Sequence, residues 1–154
     1  MPLEDQLGYF FFNKSHLRCA LTHHSYLLEA GNQGQTAESP ADQAAYSILG
    51  SAILDAVLTE LLIRSGQTTQ PEIVMQKVAL KQIEKLAELS QTVGAGYVLK
   101  LGQAAKQHKV YDDPITLAET LEAVIGAVYF DGGFSAARRV VQKLFRNEFE
   151  SLSD

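Results

Sequence analysis

Apolar residues along this chain recur every three to four positions, and strict alternation of apolar and polar residues is almost absent. This spacing is typical of helices that bury one face, and it is not the period of strands. Five helices follow from the pattern, each separated from the next by polar or glycine-containing residues. They are predicted at 14–30, 44–62, 71–91, 115–131 and 135–150.

Residues that favour caps and turns lie at the predicted helix ends. Residues 31–43 are polar and contain glycine, proline and serine, which predicts a flexible loop. The other signals are Ser15 as a helix cap, Pro71 in a first turn, Asp112 or Asp113 as a cap, and a turn at 131–133. Because no β-rich segment or internal repeat is found, the sequence predicts one all-α domain over 1–154.

The composition limits the class of protein. A chain of 154 residues with 46% hydrophobic residues suits one globular domain. Its single cysteine, Cys19, excludes internal disulfides and thiolate zinc sites. No apolar run approaches the roughly 20 residues of a membrane span, and the first residues are acidic rather than basic. We therefore expect a cytoplasmic protein without membrane contact, and the net charge of −5 predicts modest affinity for nucleic acid.

Two pairs of polar residues stand one helical turn apart in otherwise apolar helices. Glu119 and Glu122 share a helix face, and carboxylates held in this way can bind hard divalent cations. Such a pair alone is more typical of a solvated acidic edge. Ser47 and Ser51 also share a face, at a spacing where two carboxylates would make an obvious metal site. The sequence thus raises the question of a metal site that has lost its ligands.

Four segments, taken in order, resemble the nuclease domain of ribonuclease III, the endonuclease of double-stranded RNA. They are LGYFFFNKSHLRCALTHHSY (7–26), YSILGSAILDAVLTELL (46–62), LAELSQTVGAGYVLKLG (86–102) and LAETLEAVIGAVYFDGGF (117–134). The last is close to the family pattern LAD..EA.IGA.Y.DGGF, and QAAYSILGSAIL (43–54) aligns with the family signature NERLEFLGDAVL. The resemblance covers nearly the whole chain and implies the homodimeric, all-α ribonuclease III fold.

The resemblance also implies a degenerate metal site. In the family, four acids hold Mg²⁺, which activates water and stabilises charge on the attacked phosphate. This chain has Glu119 and Glu122 at two of those positions but Ser47 and Ser51 at the other two, and Ala44 replaces a further acid of the signature. Asp55, if the alignment slips by one turn, or Glu72 would have to supply another ligand. We therefore expect at most weak binding of Mg²⁺ or Mn²⁺.

Dimerisation and RNA binding are further expectations from the same resemblance. The signature helices of two subunits pack together in the family, which places Ala44, Ala45, Ile48 and Leu49 at a dimer interface. The sequence ends without the double-stranded RNA-binding domain that typically follows, so RNA contacts would come from the dimer itself or from other proteins. Lys77, Lys81 and Lys85, spaced by four residues, form a candidate RNA-binding stripe, although a solvated helix face shows the same pattern.

These observations lead to one working hypothesis and two alternatives. The hypothesis is a catalytically impaired ribonuclease III-like dimer that binds double-stranded or structured RNA, or has a structural role, in RNA metabolism. One alternative is a weak metal-dependent endonuclease of double-stranded RNA. The other is a protein-protein dimerisation module without an RNA ligand, which suits the acidic charge.

Overall fold

The computed structural model describes residues 2–29 and 42–153, so most of the predicted loop at 31–43 lies outside the described residues. The described part is built from helices joined by short connections. They are α1 (Pro2–Leu7), α2 (Lys14–Ala20), α3 (His24–Glu29), α4 (Gln43–Arg64), α5 (Gln70–Leu80), α6 (Ile83–Val93), α7 (Ala95–Val98), α8 (Gln103–Gln107), a 3-10 turn (Val110–Asp112), α9 (Pro114–Leu144) and α10 (Arg146–Ser153).

Strands are absent from residues 2–29 and 42–153, which confirms the predicted all-α class. One isolated parallel bridge joins Thr22 to Lys100. The Lys100 N–H donates to the Leu21 carbonyl at 2.7 Å, and the His23 N–H donates to the Lys100 carbonyl at 2.8 Å. These bonds fix the α2–α3 connection against the segment between α7 and α8.

The two longest helices, α4 and α9, cross at the centre of the domain with almost no space between their backbones. A Cβ atom built at Gly50 would lie 1.6 Å from the carbonyl oxygen of Glu122. One built at Gly126 would lie 2.2 Å from the carbonyl oxygen of Tyr46. Because neither distance is compatible with a real side chain, only glycine permits this crossing.

Apolar side chains on both helices pack around the crossing, and α6 covers the same core. The fully or almost fully buried members are Leu54, Val57, Leu58 and Leu62 on α4, Leu121, Val124, Ile125 and Val128 on α9, and Leu86 and Val93 on α6. Burying a Leu or Ile side chain of this kind contributes about 1.5–3 kcal/mol. Hydrophobic contact therefore stabilises the crossing that the glycines allow.

By length and composition, α4 is apolar enough to cross a membrane, contrary to the expectation from the sequence. The core helix of a globular domain meets the same test, and the buried residues of α4 belong to the hydrophobic core.

The predicted helix at 14–30 is wrong as one continuous element. It divides into α2 and α3, because the bridge between Thr22 and Lys100 takes the intervening backbone out of helical hydrogen bonding. The cap of α2 is Asn13, whose side chain accepts the Ser15 N–H, so the expected cap at Ser15 is two residues too late.

The predicted helix at 71–91 is also interrupted. It ends as α5 at Leu80, and Gln82 has extended backbone angles before α6 begins at Ile83. The turn directs the buried side chains of α6 into the core beside α9. As a consequence, Lys77, Lys81 and Lys85 do not lie along one unbroken helix.

The turn predicted at 131–133 corresponds to a break inside α9. Gly133 has a φ of 83° and a ψ of 180°, which divides Pro114–Leu144 into two helical parts. The start of α9 is capped by Asp113, whose carboxylate accepts the Thr116 N–H at 3.0 Å. A second interruption at Phe145 separates α9 from α10, so the predicted helix at 135–150 is not continuous.

Gly50→Ala tests the crossing. The added methyl group must displace the α9 backbone, so we expect a loss of about 3 kcal/mol in the free energy of unfolding, despite the better helix propensity of alanine. Gly66→Ala is the control, because Gly66 has positive φ but open space around it, and strain alone should cost about 1 kcal/mol. Urea denaturation measures both variants, and equal losses would contradict the steric explanation.

Candidate functional site

The crossing of α4 and α9 brings the two predicted residue pairs together. The Ser51 hydroxyl donates a hydrogen bond to the Glu122 carboxylate. One turn away, Ser47 and Glu119 line the same small cavity of about 150 Å³. Residues that the sequence placed on separate helices therefore share one surface, as the alignment with the family signature implies.

One lysine of the predicted RNA-binding stripe, Lys81, reaches this surface. The Lys81 ammonium lies 3.5 Å from the Ser51 carbonyl oxygen and 3.5 Å from Oδ1 of Asp55. It also lies close enough to Glu122 to act on the pKa of its carboxyl group. A monovalent cation supplied by the protein thus stands beside the serine–glutamate pair.

Asp55 is held by two lysines. Its carboxylate lies 3.2 Å from the Lys77 ammonium and 3.5 Å from that of Lys81. Burial acts to raise the pKa of Asp55, but the hydrogen bonds and charges of the two lysines outweigh it, so the pKa is lowered overall. An ionised carboxylate shared by two ammonium groups is a poor additional ligand for a metal ion.

Glu122 is the carboxylate of this surface whose pKa is raised. Burial raises its pKa, and the charge of Glu119 acts in the same direction. The Ser51 hydrogen bond and the Lys81 charge oppose this effect without cancelling it. The site therefore disfavours negative charge at Glu122, which a bound divalent cation would need.

Glu72, the other alternative ligand, caps a helix in the structure. It closes a capping box at the start of α5, where its carboxylate accepts the N–H groups of Thr68 and Thr69 at 3.2 and 3.3 Å. These backbone hydrogen bonds lower its pKa. Glu72 thus stabilises a helix end and is not part of the Ser47–Glu122 surface.

The donor set does not fit the metal that the family implies. Within the part of the chain that the structure describes, no group of three His, Cys, Asp or Glu side chains is arranged to hold a metal ion. Mg²⁺ and Mn²⁺ require several oxygen ligands with enough negative charge to offset dehydration. Two hydroxyl groups, the Glu119 carboxylate, the Glu122 carboxyl with its raised pKa and a nearby ammonium do not meet this requirement.

The cavity beside Ser47 is also lined by His23 and His24, and neither histidine completes a metal site. His23 forms a 2.8 Å hydrogen bond between Nδ1 and the Ser25 hydroxyl, and burial lowers its pKa. Its backbone N–H bonds to Lys100. His23 is therefore a hydrogen-bonded packing residue at the α2–α3 connection.

The residues predicted at a dimer interface are only partly available for one. Ala44 and Ala45 are exposed, and the Ile48 side chain is 74% exposed. Leu49 is half-buried and packs against the core of its own chain. The exposed residues continue along α4 as an apolar stripe at helical spacing, consisting of Ala45, Ile48, Ala52, Ala56 and Ile63.

The predicted lysine stripe is largely neutralised by carboxylates. Lys77 and Lys81 pair with Asp55, and Lys85 pairs with Glu148 and with Glu88 at 3.9 Å. Sequence spacing alone does not reveal the pairs with Asp55 and Glu148, because they join helices that are far apart in the chain, whereas Lys85 and Glu88 lie one turn apart on α6. The RNA-binding role of the stripe stays a prediction.

The comparisons with known proteins agree with the fold and with the geometry of the crossing. Residues 13–148 match the family model described as ribonuclease-III-like. The chain belongs to the ribonuclease-III-like family. Curated relatives named Ribonuclease 3 are 35% identical in Pseudomonas fluorescens over 98% of this chain and 33% identical in Azorhizobium caulinodans over 97% of it. This chain spans 61% of the length of each of those relatives.

Solved structures in the same family have the same fold. The nuclease domain of ribonuclease III from Campylobacter jejuni matches with a TM-score of 0.83 and 25% identity over 97% of both chains. That structure is described as showing flexibility in a region involved in dimer formation. A second structure of the same domain matches with a TM-score of 0.79 over 95% of this chain and 93% of that one. The ribonuclease III-like nuclease domain predicted from the four sequence segments is confirmed.

The raised pKa of Glu122 predicts a pH-dependent contribution to stability. The folded protein retains this proton to higher pH than the unfolded chain, whose carboxyl has the ordinary value of 4.5. The contribution of the Glu122 proton to the free energy of unfolding is therefore lost as the pH rises above about 4.5. Glu122→Gln should remove this loss. The difference in unfolding temperature, variant minus unmodified protein, should therefore be larger at pH 7 than at pH 4.

Thermal unfolding at intervals between pH 4 and pH 8 measures the effect. Glu119→Gln, which changes an exposed carboxylate on the same helix, is the matched control and should leave most of the pH dependence in place. A relative unfolding temperature of Glu122→Gln that falls between pH 4 and pH 7 would show that the assigned direction of the pKa shift is wrong.

Proposed function

We propose that this ribonuclease III-like domain serves in RNA processing as a dimeric protein that binds double-stranded RNA, with cleavage lost or strongly impaired. The observation that carries the proposal is the composition of the α4–α9 surface, where Ser51 bonds to Glu122 and Lys81 lies beside them. Ribonuclease III chemistry uses a divalent ion to activate water and to stabilise charge on the attacked phosphate. A surface that disfavours the ion cannot support that step efficiently.

The loss of negative charge relative to the family pattern is not confined to Ser47 and Ser51. The family implies four carboxylates around the ion, and this chain supplies Glu119 and Glu122 at those positions. Lys81 then adds a positive charge close to Glu122, while Asp55 is occupied by lysine ammonium groups. Repulsion from Lys81 therefore acts on any incoming cation in addition to the missing attraction.

Dimerisation is proposed through the exposed apolar stripe on α4. The stripe runs at helical spacing from Ala45 to Ala56 and resumes at Ile63, and its Ile48 side chain is 74% exposed in the single chain. Contact between the stripes of two chains would bury this surface around a two-fold axis, which is the commonest arrangement of homodimers. The description of a region involved in dimer formation in the Campylobacter jejuni nuclease domain supports dimerisation here.

One assay on duplex RNA separates this proposal from its alternatives. We expect salt-sensitive binding and no efficient cleavage, with or without Mg²⁺ or Mn²⁺. Metal-dependent cleavage that disappears in Glu119→Gln or Glu122→Gln would favour the weak-nuclease alternative. Absence of both binding and cleavage by a stable dimer would favour a protein-protein dimerisation module.

Rebuilding the ligand set tests the electrostatic explanation. The double variant Ser47→Glu, Ser51→Asp places two carboxylates opposite Glu119 and Glu122, so affinity for Mn²⁺ should increase at least about tenfold, which corresponds to 1.4 kcal/mol. Adding Lys81→Met should increase it further, because the competing ammonium is removed. Isothermal titration calorimetry measures the affinity, and duplex RNA cleavage is assayed in parallel.

The neutral pair Ser47→Gln, Ser51→Asn is the control for changes in side-chain size. It should leave Mn²⁺ affinity close to that of the unmodified protein. If this control and the acidic variant bind Mn²⁺ equally, or if the unmodified protein already cleaves as fast as a full-length ribonuclease III, the degenerate-site explanation fails.

Ile48→Asp tests the dimer. A carboxylate at position 48 of the stripe would be buried without a partner, at a cost of several kcal/mol in the free energy of association. Sedimentation velocity should show a monomer for this variant where the unmodified protein is a dimer. Ile115→Asp, which changes another exposed isoleucine at the start of α9, should remain dimeric. A monomeric unmodified protein at micromolar concentration would contradict the proposal.

A further inference from the structure

A cavity with cationic walls lies on the second half of α9, outside the Ser47–Glu122 surface. Its volume is about 460 Å³, within the range of ligand-binding clefts. The lining includes three cations, Arg139, Lys143 and Arg146, at spacings of four and three residues. All three side chains are exposed, so this cavity concentrates positive charge on a protein whose net charge is −5.

These cations differ from the predicted lysine stripe because they have no carboxylate partners. Within residues 2–29 and 42–153, Arg139, Lys143 and Arg146 form no ion pair, whereas each lysine of the stripe forms at least one. An unpaired cation can neutralise a phosphate without first losing an internal partner. Among the described residues, the cations of the cavity are therefore more available to an anionic ligand than the lysines of the stripe.

The opposite wall of the cavity comes from the segment after α1, which positions the cations. The Lys143 side chain lies across Gly8, and its ammonium is 3.4 Å from the Asp5 carbonyl oxygen. Arg139 lies close enough to Tyr9 to act on the pKa of the phenol. The Asp131 carboxylate accepts hydrogen bonds from the Tyr9 hydroxyl and from the N–H groups of Phe12 and Asn13.

The accessible surface of the cavity is suited to an anion more than to a peptide. Its apolar lining residues Leu7, Ala136 and Val140 are only 1–2% exposed and present almost no surface for an apolar anchor. The accessible lining includes the two guanidinium groups and the ammonium, together with apolar surface on the half-buried Tyr9 ring and on the side-chain stems. Guanidinium groups bind phosphate oxygens in a bidentate manner, and protein-protein recognition depends on buried apolar or aromatic anchors.

We propose that Arg139, Lys143 and Arg146 form a phosphate-binding site for the backbone of duplex RNA. This inference rests on the proposed RNA-binding function and specifies which surface performs it. The site is independent of the degenerate metal position, because no residue lines both.

The test compares three forms of the full chain for binding to a duplex RNA at several salt concentrations. The double variant Arg139→Gln, Lys143→Gln removes two cations of the cavity. The control Lys106→Gln, Lys109→Gln removes two exposed lysines elsewhere and gives the same change in net charge. Circular dichroism melting verifies that all three forms are folded.

We expect the cavity variant to bind more weakly, with a log–log salt slope reduced by about two, and the control to retain nearly the full slope. Amide shifts on addition of RNA to the unmodified protein should centre on Gly8, Tyr9 and residues 139–146. If the unmodified protein binds RNA and the cavity variant shows an unchanged slope, the site assignment is wrong while the proposed function stands. If the unmodified protein binds no RNA, both are wrong. If it binds RNA but these amides respond to poly-glutamate and not to RNA, the site assignment alone is wrong.

Discussion

The close approach of α4 to α9 is the constraint on which the rest of the structure depends. Gly50 and Gly126 let the two backbones meet where any side chain would collide with a carbonyl oxygen. That contact sets which turns of the two helices face each other, and so it places Ser51 opposite Glu122. The family geometry thus persists in this chain although its ligands have changed, because the crossing is maintained by packing and does not require the acids.

Within that geometry, the charges form a self-contained network. Asp55 holds Lys77 and Lys81, and Lys81 in turn faces Ser51 and Glu122. A half-buried carboxylate such as Glu122 is unfavourable without a partner, and the hydroxyl and ammonium supply partial compensation. These protein groups thus balance part of the negative charge at Glu122. Reintroducing the acids alone would disturb this balance, and Lys81 would oppose the incoming metal.

Much of this architecture could be predicted from the sequence, and the errors have a common cause. The helical period and the four family segments predicted the all-α class and the ribonuclease III-like fold. The continuous helices at 14–30 and 71–91 were wrong because contacts distant in sequence, such as the bridge from Thr22 to Lys100, interrupt them. The position of Lys81 beside Glu122 was missed for the same reason, since it depends on how α5 packs on α4 and not on local spacing.

The break at Gly133 divides α9 into two parts with different chemistry. Glu119 and Glu122 lie before it, and Arg139 and Lys143 lie after it. The break changes the direction of the second part, so the two groups of residues do not lie along one straight helix. No residue lines both the cavity on the second part and the cavity beside Ser47. The phosphate binding proposed for the second part therefore does not depend on a metal ion at the first.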